Sequence, residues 1–525
     1  MKLREICWME KVNRVLLCLF LAGILSACGK ESELQSDIDA NVIEGTTSLH
    51  PLRVADYTLE ETIPNVLVDQ IGYEENSTKI VIFKGENLPE LFEVVEAESK
   101  EVVYTGKIIP NEYQEDVGES TGYGVFTQLQ KEGKYYIRTE RIGQSFPFQI
   151  DNNIYQPLLL DVCKSFYENR CGKKQTEVFN EQTRPHPCFS SEFLIEEGNI
   201  DLSGGWHTSD DFSRDVMSGC MAASDLMLVY RLYPSLFLDD LGLETSGNEV
   251  PDMMDEVRYE IDWLLKMQNS KTGMVYRGIQ YETQEAEKNA TNPGRLVLQN
   301  EDDDSTAMFA ATLAEFYLVY SEYDSSYATK CLRAAEKAWA SLPKKLDNTQ
   351  EQYFAAASLY NATGKVSYHN YVKTYRTQSN LSSLKNEIEL RGDVMYLNSR
   401  RKVDTALCNE IMKEWMEKVE VLAKESNQNA YRVCGTTEDE IFDNLFYLTI
   451  INHVITNHEY GTVLGSHLHY FLGRNPEGIS YFQDKGYRHL KNNEKMKEIT
   501  GQPQLSATML LILGESVSGN TDREE

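Results

Sequence analysis

The hydrophobic period of this chain changes once, near Asp151, and that change limits its architecture more than any other feature. Before it, from Pro64, come seven short runs rich in β-branched and aromatic residues: NVLVDQIGY, TKIVIFKG, LFEVVEA, EVVYTGK, YGVFTQL, GKYYIRT and SFPFQI. Gly, Asn and charged turns separate them, which predicts a small β-sandwich over residues 61–150. After it the period is helical. In YQPLLLDVCKSFYENRCG, residues Leu159, Val162, Cys163, Phe166 and Tyr167 fall three and four apart on one face. Similar faces recur in PDMMDEVRYEIDWLLKMQ, STAMFAATLAEFYLVYSEY, QEQYFAAASLYNATG, DTALCNEIMKEWMEKVEVLA and QLSATMLLILGE. Roughly a dozen helices without a sequence repeat suggest a helical toroid over 151–518. Periodicity alone does not separate that from another large all-α domain, and residues 519–525 read as a disordered tail.

The first thirty residues belong to targeting rather than fold. Lys2, Arg4, Lys11 and Arg14 precede an apolar run from Val15 to Leu25, shorter than the ~20 residues a membrane span needs. The run ends in Leu25-Ser26-Ala27-Cys28, which resembles the lipobox of bacterial lipoproteins, where the cysteine is acylated after cleavage. Residues 1–27 therefore read as a signal peptide and Cys28 as the lipidated residue. Residues 28–60 are polar and aperiodic, a flexible tether that lifts the rest off the outer face of the membrane.

Charge narrows the partners. Against 51 basic residues stand 82 acidic ones, a net −31, and removing residues 1–27, with four basic and two acidic, makes it −33. Such a surface repels nucleic acid and anionic lipid, so membrane attachment is expected through the anchor only, and a neutral sugar polymer fits better as a partner. The chain is expected to be a monomer. Seven cysteines follow Cys28, and an odd number scattered over so long a chain is no disulfide framework. No phosphate loop, nucleotide fingerprint or nucleophilic elbow appears, so no organic cofactor is expected.

Five motifs in order carry a resemblance: VLVDQIGY opening the sandwich, then FYENRCG, DLSGGWHTSDDFSRDV, SGNEVPDMMDEVRYEIDWLLKMQ and YFLGRNPEGISYF. Together, over roughly 64–515, they resemble family 9 glycoside hydrolases of the cellulase type that carry an N-terminal immunoglobulin-like domain. The resemblance implies an immunoglobulin-like sandwich followed by an (α/α)6 barrel, and inverting hydrolysis of β-1,4-glucan or a related oligosaccharide. Inversion needs two carboxyl groups ~6.5–9.5 Å apart, one protonating the leaving oxygen and one activating water. The family's water-activating loop reads Gly-Gly-Trp, an aromatic or histidine, then Asp-Ala-Gly-Asp. Laid on Gly204, Gly205, Trp206 and His207, it puts the general base on Asp211 and replaces the water-holding aspartate by Thr208. Asp210 either assists the water or caps a helix beginning near Phe212.

The family's acid is a glutamate about six residues before the Asn-Ala of the last helix. Here Ser506-Ala507 take that place and the counted position is Thr500, so the candidates are Glu494 and Glu498, each competing with a solvated charged loop. Trp206, Arg474, Asn475, Tyr481, Arg488 and His489 are candidate substrate contacts, and loop shaping is an equal reading for Trp206. The resemblance also implies a structural zinc at Cys171, Cys188 and His207, with His186 in place of a histidine displaced by Phe189; a Cys171–Cys188 disulfide is the alternative. Asp302, Asp303 and Asp304 resemble a calcium-attracting run yet read better as a helix N-cap, and calcium is left open. With one aspartate replaced and the glutamate displaced, the rivals are a glycan-binding surface lipoprotein without catalysis and an enzyme retuned to another glycan.

Overall fold

The computed structural model describes residues 64–111, 118–171, 193–195, 198–200, 202–208, 213–281, 296–343, 349–378, 387–454, 458–482, 484–489, 499 and 501–521. The signal, Cys28 and the tether lie outside them. Two compact units result, one of residues up to 68 and 72–151, the other of 69–71 and 152 onward.

The first unit is a β-sandwich. One sheet runs in the order β1 (Val66–Leu67), β3 (Ile80–Lys84), β7 (Thr121–Val125), β6 (Ile109–Pro110). The other runs β2 (Gly72–Tyr73), β10 (Phe148–Ile150), β8 (Gly133–Thr139), β4 (Leu91–Glu96), β5 (Val102–Lys107), with β9 (Gly143–Gln144) on β8. Pairing is antiparallel except between β10 and β2. Inward residues of both sheets, including Val81, Phe83, Phe92, Val94, Tyr135, Ile137 and Phe148, form one apolar core. Glycine appears where Phe92 needs room: a Cβ on Gly124 would stand 2.3 Å from its ring and one on Gly106 2.5 Å.

The second unit holds, among the described residues, twelve α-helices: α1 (Gln156–Glu168), α2 (Val216–Leu232), α3 (Asp252–Met267), α4 (Asp303–Tyr320), α5 (Ser325–Ser341), α6 (Gln350–Thr363), α7 (Val366–Gln378), α8 (Glu387–Leu397), α9 (Thr405–Gln428), α10 (Glu438–Val454), α11 (His458–Phe471) and α12 (Pro503–Thr521). They alternate in kind. The odd members bury one stripe, as α5 does through Ala328, Cys331, Ala335 and Ala338, and α9 through Leu407, Ile411, Trp415, Val419 and Leu422. The even members are buried around their circumference, as α4 is from Ser305 through Phe316 and α6 from Glu351 through Ala362. Each even helix packs on the next, α2 on α4, α4 on α6, α6 on α8, α8 on α10, α10 on α12, and α12 returns to α2. That closes an inner ring of six inside an outer six, an (α/α)6 barrel. The inner helices all start at one end, so the loops that lead into them gather there.

Candidate active site

The loop before α2 is built from the backbone up. The chain leaves α1 and pairs with it antiparallel, Arg170 opposite Trp206, with the Cys171 N–H on the Gly205 carbonyl at 2.8 Å and the His207 N–H on Asn169 O at 2.9 Å. Gly204 and Gly205 sit at φ of 102° and 76°, and a Cβ on Gly205 would stand 2.6 Å from the Trp263 ring, so only glycine fits that approach. Arg214 Nη1 donates to the carbonyls of Leu202 (2.8 Å) and Gly204 (2.7 Å), and Lys266 donates to Ser203 O. From α3, the buried Glu260 accepts the Trp206 N–H at 2.7 Å. Burial pushes that carboxyl up to about 8, against the Trp206 hydrogen bond and the Arg214 charge, so it is protonated at neutral pH.

Thr208 closes the loop. Its N–H and its hydroxyl both donate to Ser213 O, at 2.9 and 3.2 Å, and its oxygen accepts the Asp215 N–H at 3.2 Å. Residues 209–212 lie between these bonded residues in the sequence. Asp210 and Asp211 lie within that span and outside the described residues, as do Glu494 and Glu498. A hydroxyl has one proton and two lone pairs; with the proton on Ser213 and one lone pair on Asp215, Thr208 retains one acceptor site for a water. The helix reading of Asp210 is corrected: α2 begins at Val216, and Asp215 is its N-cap, accepting the Ser218 N–H at 3.0 Å. The preceding Arg214–Asp215 pairs as a strand with Gly278–Ile279, which postpones the helix.

Several expected substrate contacts turn inward. Trp206 is fully buried, edge-on to Phe166 at 5.2 Å, so it shapes the loop and offers no face to a sugar. Arg474 is also fully buried and donates to Ser466 O (2.9 Å) and Tyr431 O (3.4 Å). Asn475 uses its amide on Tyr470 O, Ile479 O and the Ile479 N–H, closing a turn. Tyr481, 1% exposed, donates to Glu438 Oε1 at 2.9 Å. Arg474 and Asn475 thus satisfy backbone groups, and Tyr481 the Glu438 carboxylate. Arg488 and His489 remain half-buried, His489 lying 3.5 Å from Asp484.

Of the candidate zinc ligands, Cys171 and His207 are both buried, and the Arg170–Trp206 pairing puts them diagonally on the same face of that two-stranded bridge. His186 and Cys188 lie outside the described residues. Among the described residues no group of three or more His, Cys, Asp or Glu could hold a metal. Asp302 accepts the Ser305 N–H at 3.0 Å, the N-cap that its sequence position suggests, with Asp303 and Asp304 in the first turn of α4.

Two features of this end of the barrel escaped sequence reasoning. Partial desolvation and the hydrogen-bonded carboxylate of Glu387 push Asp443 up to about 7; because its side chain stays exposed, the neighbouring charge carries more of that effect than burial. The signal available was only an i,i+4 pair of aspartates, Asp439 and Asp443, at the start of α10. The other is Gln70, whose amide is buried in the helical unit although its sequence context is a strand.

Sandwich, closed double ring of helices and glycine-tryptophan loop together define a carbohydrate-cleaving class of fold, and comparison with known proteins agrees. Residues 155–495 match Glycosyl hydrolase family 9 and residues 61–144 the Cellulase N-terminal ig-like domain; the chain belongs to glycosyl hydrolase family 9. It is 26% identical over 477 residues to a cellodextrinase of Butyrivibrio fibrisolvens, covering 81% of this chain and 86% of that one. The fold matches a metagenome-derived family 9 endoglucanase with a TM-score of 0.75 at 21% identity, over 86% of this chain and 99% of the other. It also matches a zinc-binding triple mutant of a family 9 endoglucanase, with a TM-score of 0.69 at 21% identity, over 85% and 99% of the two chains.

Proposed function

We propose that the chain hydrolyses β-1,4-glucan, or oligosaccharides from it, with inversion. Asp211 is the base, Thr208 and Asp210 assist its water, and Glu494 or Glu498 is the acid. The observation that carries this reading is the Thr208 clasp, whose hydrogen bonds to Ser213 and Asp215 fix the described chain on either side of residues 209–212, directly before the inner helix α2. Thr208's one remaining lone pair suffices to accept from a single water, the minimum the missing aspartate would have to be replaced by. The cellodextrinase name of a relative spanning most of this chain supports a soluble glucan oligosaccharide as substrate.

The test is turnover of cello-oligosaccharides and soluble β-glucans by the full chain beside Asp211→Ala, Glu494→Gln and Glu498→Gln. Asp211→Ala and one of the two glutamine variants should each lower kcat by about 10²–10⁴-fold with KM little changed. The α-anomer should appear first in NMR of fresh product. Retained binding of a glycan without turnover in the wild type would replace the enzyme by a glycan-capturing protein, and turnover of another glycan alone would make it a retuned family member.

Two further parts belong to this reading. Cys28 carries lipid and holds the protein at the outer surface of a bacterial membrane; Cys28→Ser should move it from the membrane fraction to the soluble one. Cys171, Cys188, His207 and His186 would supply the thiolates and imidazoles of a zinc site, a reading supported by the same-face register of Cys171 and His207. A zinc there would fasten the loop to the end of α1. Metal analysis of the pure protein should give about one equivalent, and under a tenth of one rejects the site.

A further inference from the structure

Residues Asp69–Ile71 belong to the helical unit. Asp69 is fixed there by Tyr155 Oη at 3.1 Å and His469 Nδ1 at 2.9 Å. Beside it Gln70, 4% exposed, spends its polar atoms on one connection, residues 472–488 between α11 and α12. Its N–H donates to Leu472 O (2.9 Å), its Nε2 to Gly478 O (2.8 Å), and its Oε1 accepts the N–H groups of both Tyr487 and Arg488 at 2.8 Å. The connection is shaped around that amide: a Cβ on Gly473 would stand 2.4 Å from Nε2 and one on Gly486 2.9 Å from Oε1, and both glycines have left-handed φ, 120° and 86°.

What this immobilised backbone presents is Tyr487, 50% exposed and, among the described residues, the one aromatic side chain so open. A lone exposed aromatic is ordinary on a mobile surface. Here the backbone beneath it is ordered by a buried side chain, while half of the residue's surface stays open to solvent. The connection joins an outer helix to an inner one, as does the loop holding Asp211, so both stand at the same end of the barrel.

We propose that Tyr487 is a sugar-stacking residue at the end of the barrel where the inner helices start, taking the apolar C–H face of a β-linked pyranose, and that Gln70 is its positioning residue. This rests on the glucan reading above. A pyranose with equatorial substituents offers a flat C–H face that an aromatic ring can cover, and tyrosine supplies that area with few rotatable bonds.

The test measures binding of cellohexaose and cellobiose by calorimetry, in an Asp211→Asn background so that ligand survives. Tyr487→Ala should weaken cellohexaose binding about three- to tenfold with an unchanged melting temperature, while Tyr487→Phe stays within about twofold. Gln70→Ala should weaken it similarly, and Tyr487→Ala added to Gln70→Ala should cost little more, because the first change has already misplaced the ring. Unchanged affinity in Tyr487→Ala overturns the proposal, and additive losses overturn Gln70's positioning role. Should Gln70→Ala fail to fold, the Tyr487→Ala and Tyr487→Phe pair still decides the stacking role. A parent protein that binds no glucan oligosaccharide overturns this proposal and the glucan reading together; one that binds while Tyr487→Ala binds equally well overturns this proposal alone.

Discussion

Between the two sheets Phe92 of β4 lies 5.5 Å from the ring of Phe83 on β3, whereas on the barrel axis Arg391 of α8 reaches Asp225 of α2 through two hydrogen bonds of 2.9 and 2.7 Å. Both sites are sealed from water, yet one is filled with hydrocarbon and the other with charge. α2 and α8 are three places apart in the inner ring, so this pair spans the barrel. Around it Arg391 Nη1 also meets Glu387 at 3.2 Å, and Asp393 accepts from Tyr353 (2.6 Å) and Trp415 (3.2 Å). Burial pushes Asp225 up to about 6 in spite of Arg391, which measures how strongly the interior resists the charge. The sandwich selects its packing by shape; the barrel centre selects it by pairing.

The largest effect should come from breaking the pairing. Arg391→Leu strands Asp225 without a counter-charge and should cost about 3–5 kcal/mol in urea unfolding. Asp225→Leu combined with Arg391→Leu removes both charges and should restore much of that loss. If the double variant is as unstable as the single, the barrel is held by helix packing and the ionic pair is incidental.

The same difference decides how much was legible. Strand runs in the sandwich are short and rich in β-branched and aromatic residues, and the sandwich follows from that pattern; the exception is NVLVDQIGY, which contributes β1 and β2 but gives Asp69–Ile71 to the helical unit. Outer helices such as α5 and α9 show one apolar stripe and are equally plain. The inner helix α8, EIELRGDVMYL, buries Glu389, Arg391 and Asp393 together with its apolar residues, so its charges read as a solvated face and hide it from periodicity. At the site, GGWH was legible because its glycines answer local backbone needs. The inward turn of Trp206 and the clamp by Gln70 were not, since their partners lie 54 and 417 residues away, and Arg474 divides its bonds between Ser466, 8 residues back, and Tyr431, 43 back.

A second way to sharpen the contrast is pH. Glu315 on α4 is 6% exposed with Oε2 lacking a partner; burial pushes it up to about 7, against Ser224 and Arg231. Its folded value lies above the unfolded one, 4.5, so the folded state holds the proton more tightly. That contribution to stability is complete below pH 4.5 and is lost as pH rises through 7, amounting to at most about 3 kcal/mol. Glu315→Gln should flatten the wild-type decline between those limits, and parallel curves for the two proteins would mean the carboxyl titrates normally. The sandwich core is apolar where its sheets meet and tests shape instead. Gly124→Ala should cost about 1–3 kcal/mol by driving a methyl into Phe92, and should become nearly neutral when Phe92→Leu has first made room.

The smallest expected effect separates the two roles that sequence allowed for the paired aspartates. Asp215 and Asp302 cap α2 and α4 through the Ser218 and Ser305 N–H groups, so replacing either by alanine should cost about 1 kcal/mol, read as a modest fall in melting temperature. Asp210 lies before the Arg214–Asp215 strand pair, and the N-cap of α2 is Asp215. Asp210→Ala should leave the melting temperature within a degree or two while lowering turnover, the outcome that the proposed water-assisting role requires. A stability loss equal to that of Asp215→Ala would return Asp210 to a structural role, and Thr208 would then be the sole helper of that water in this loop.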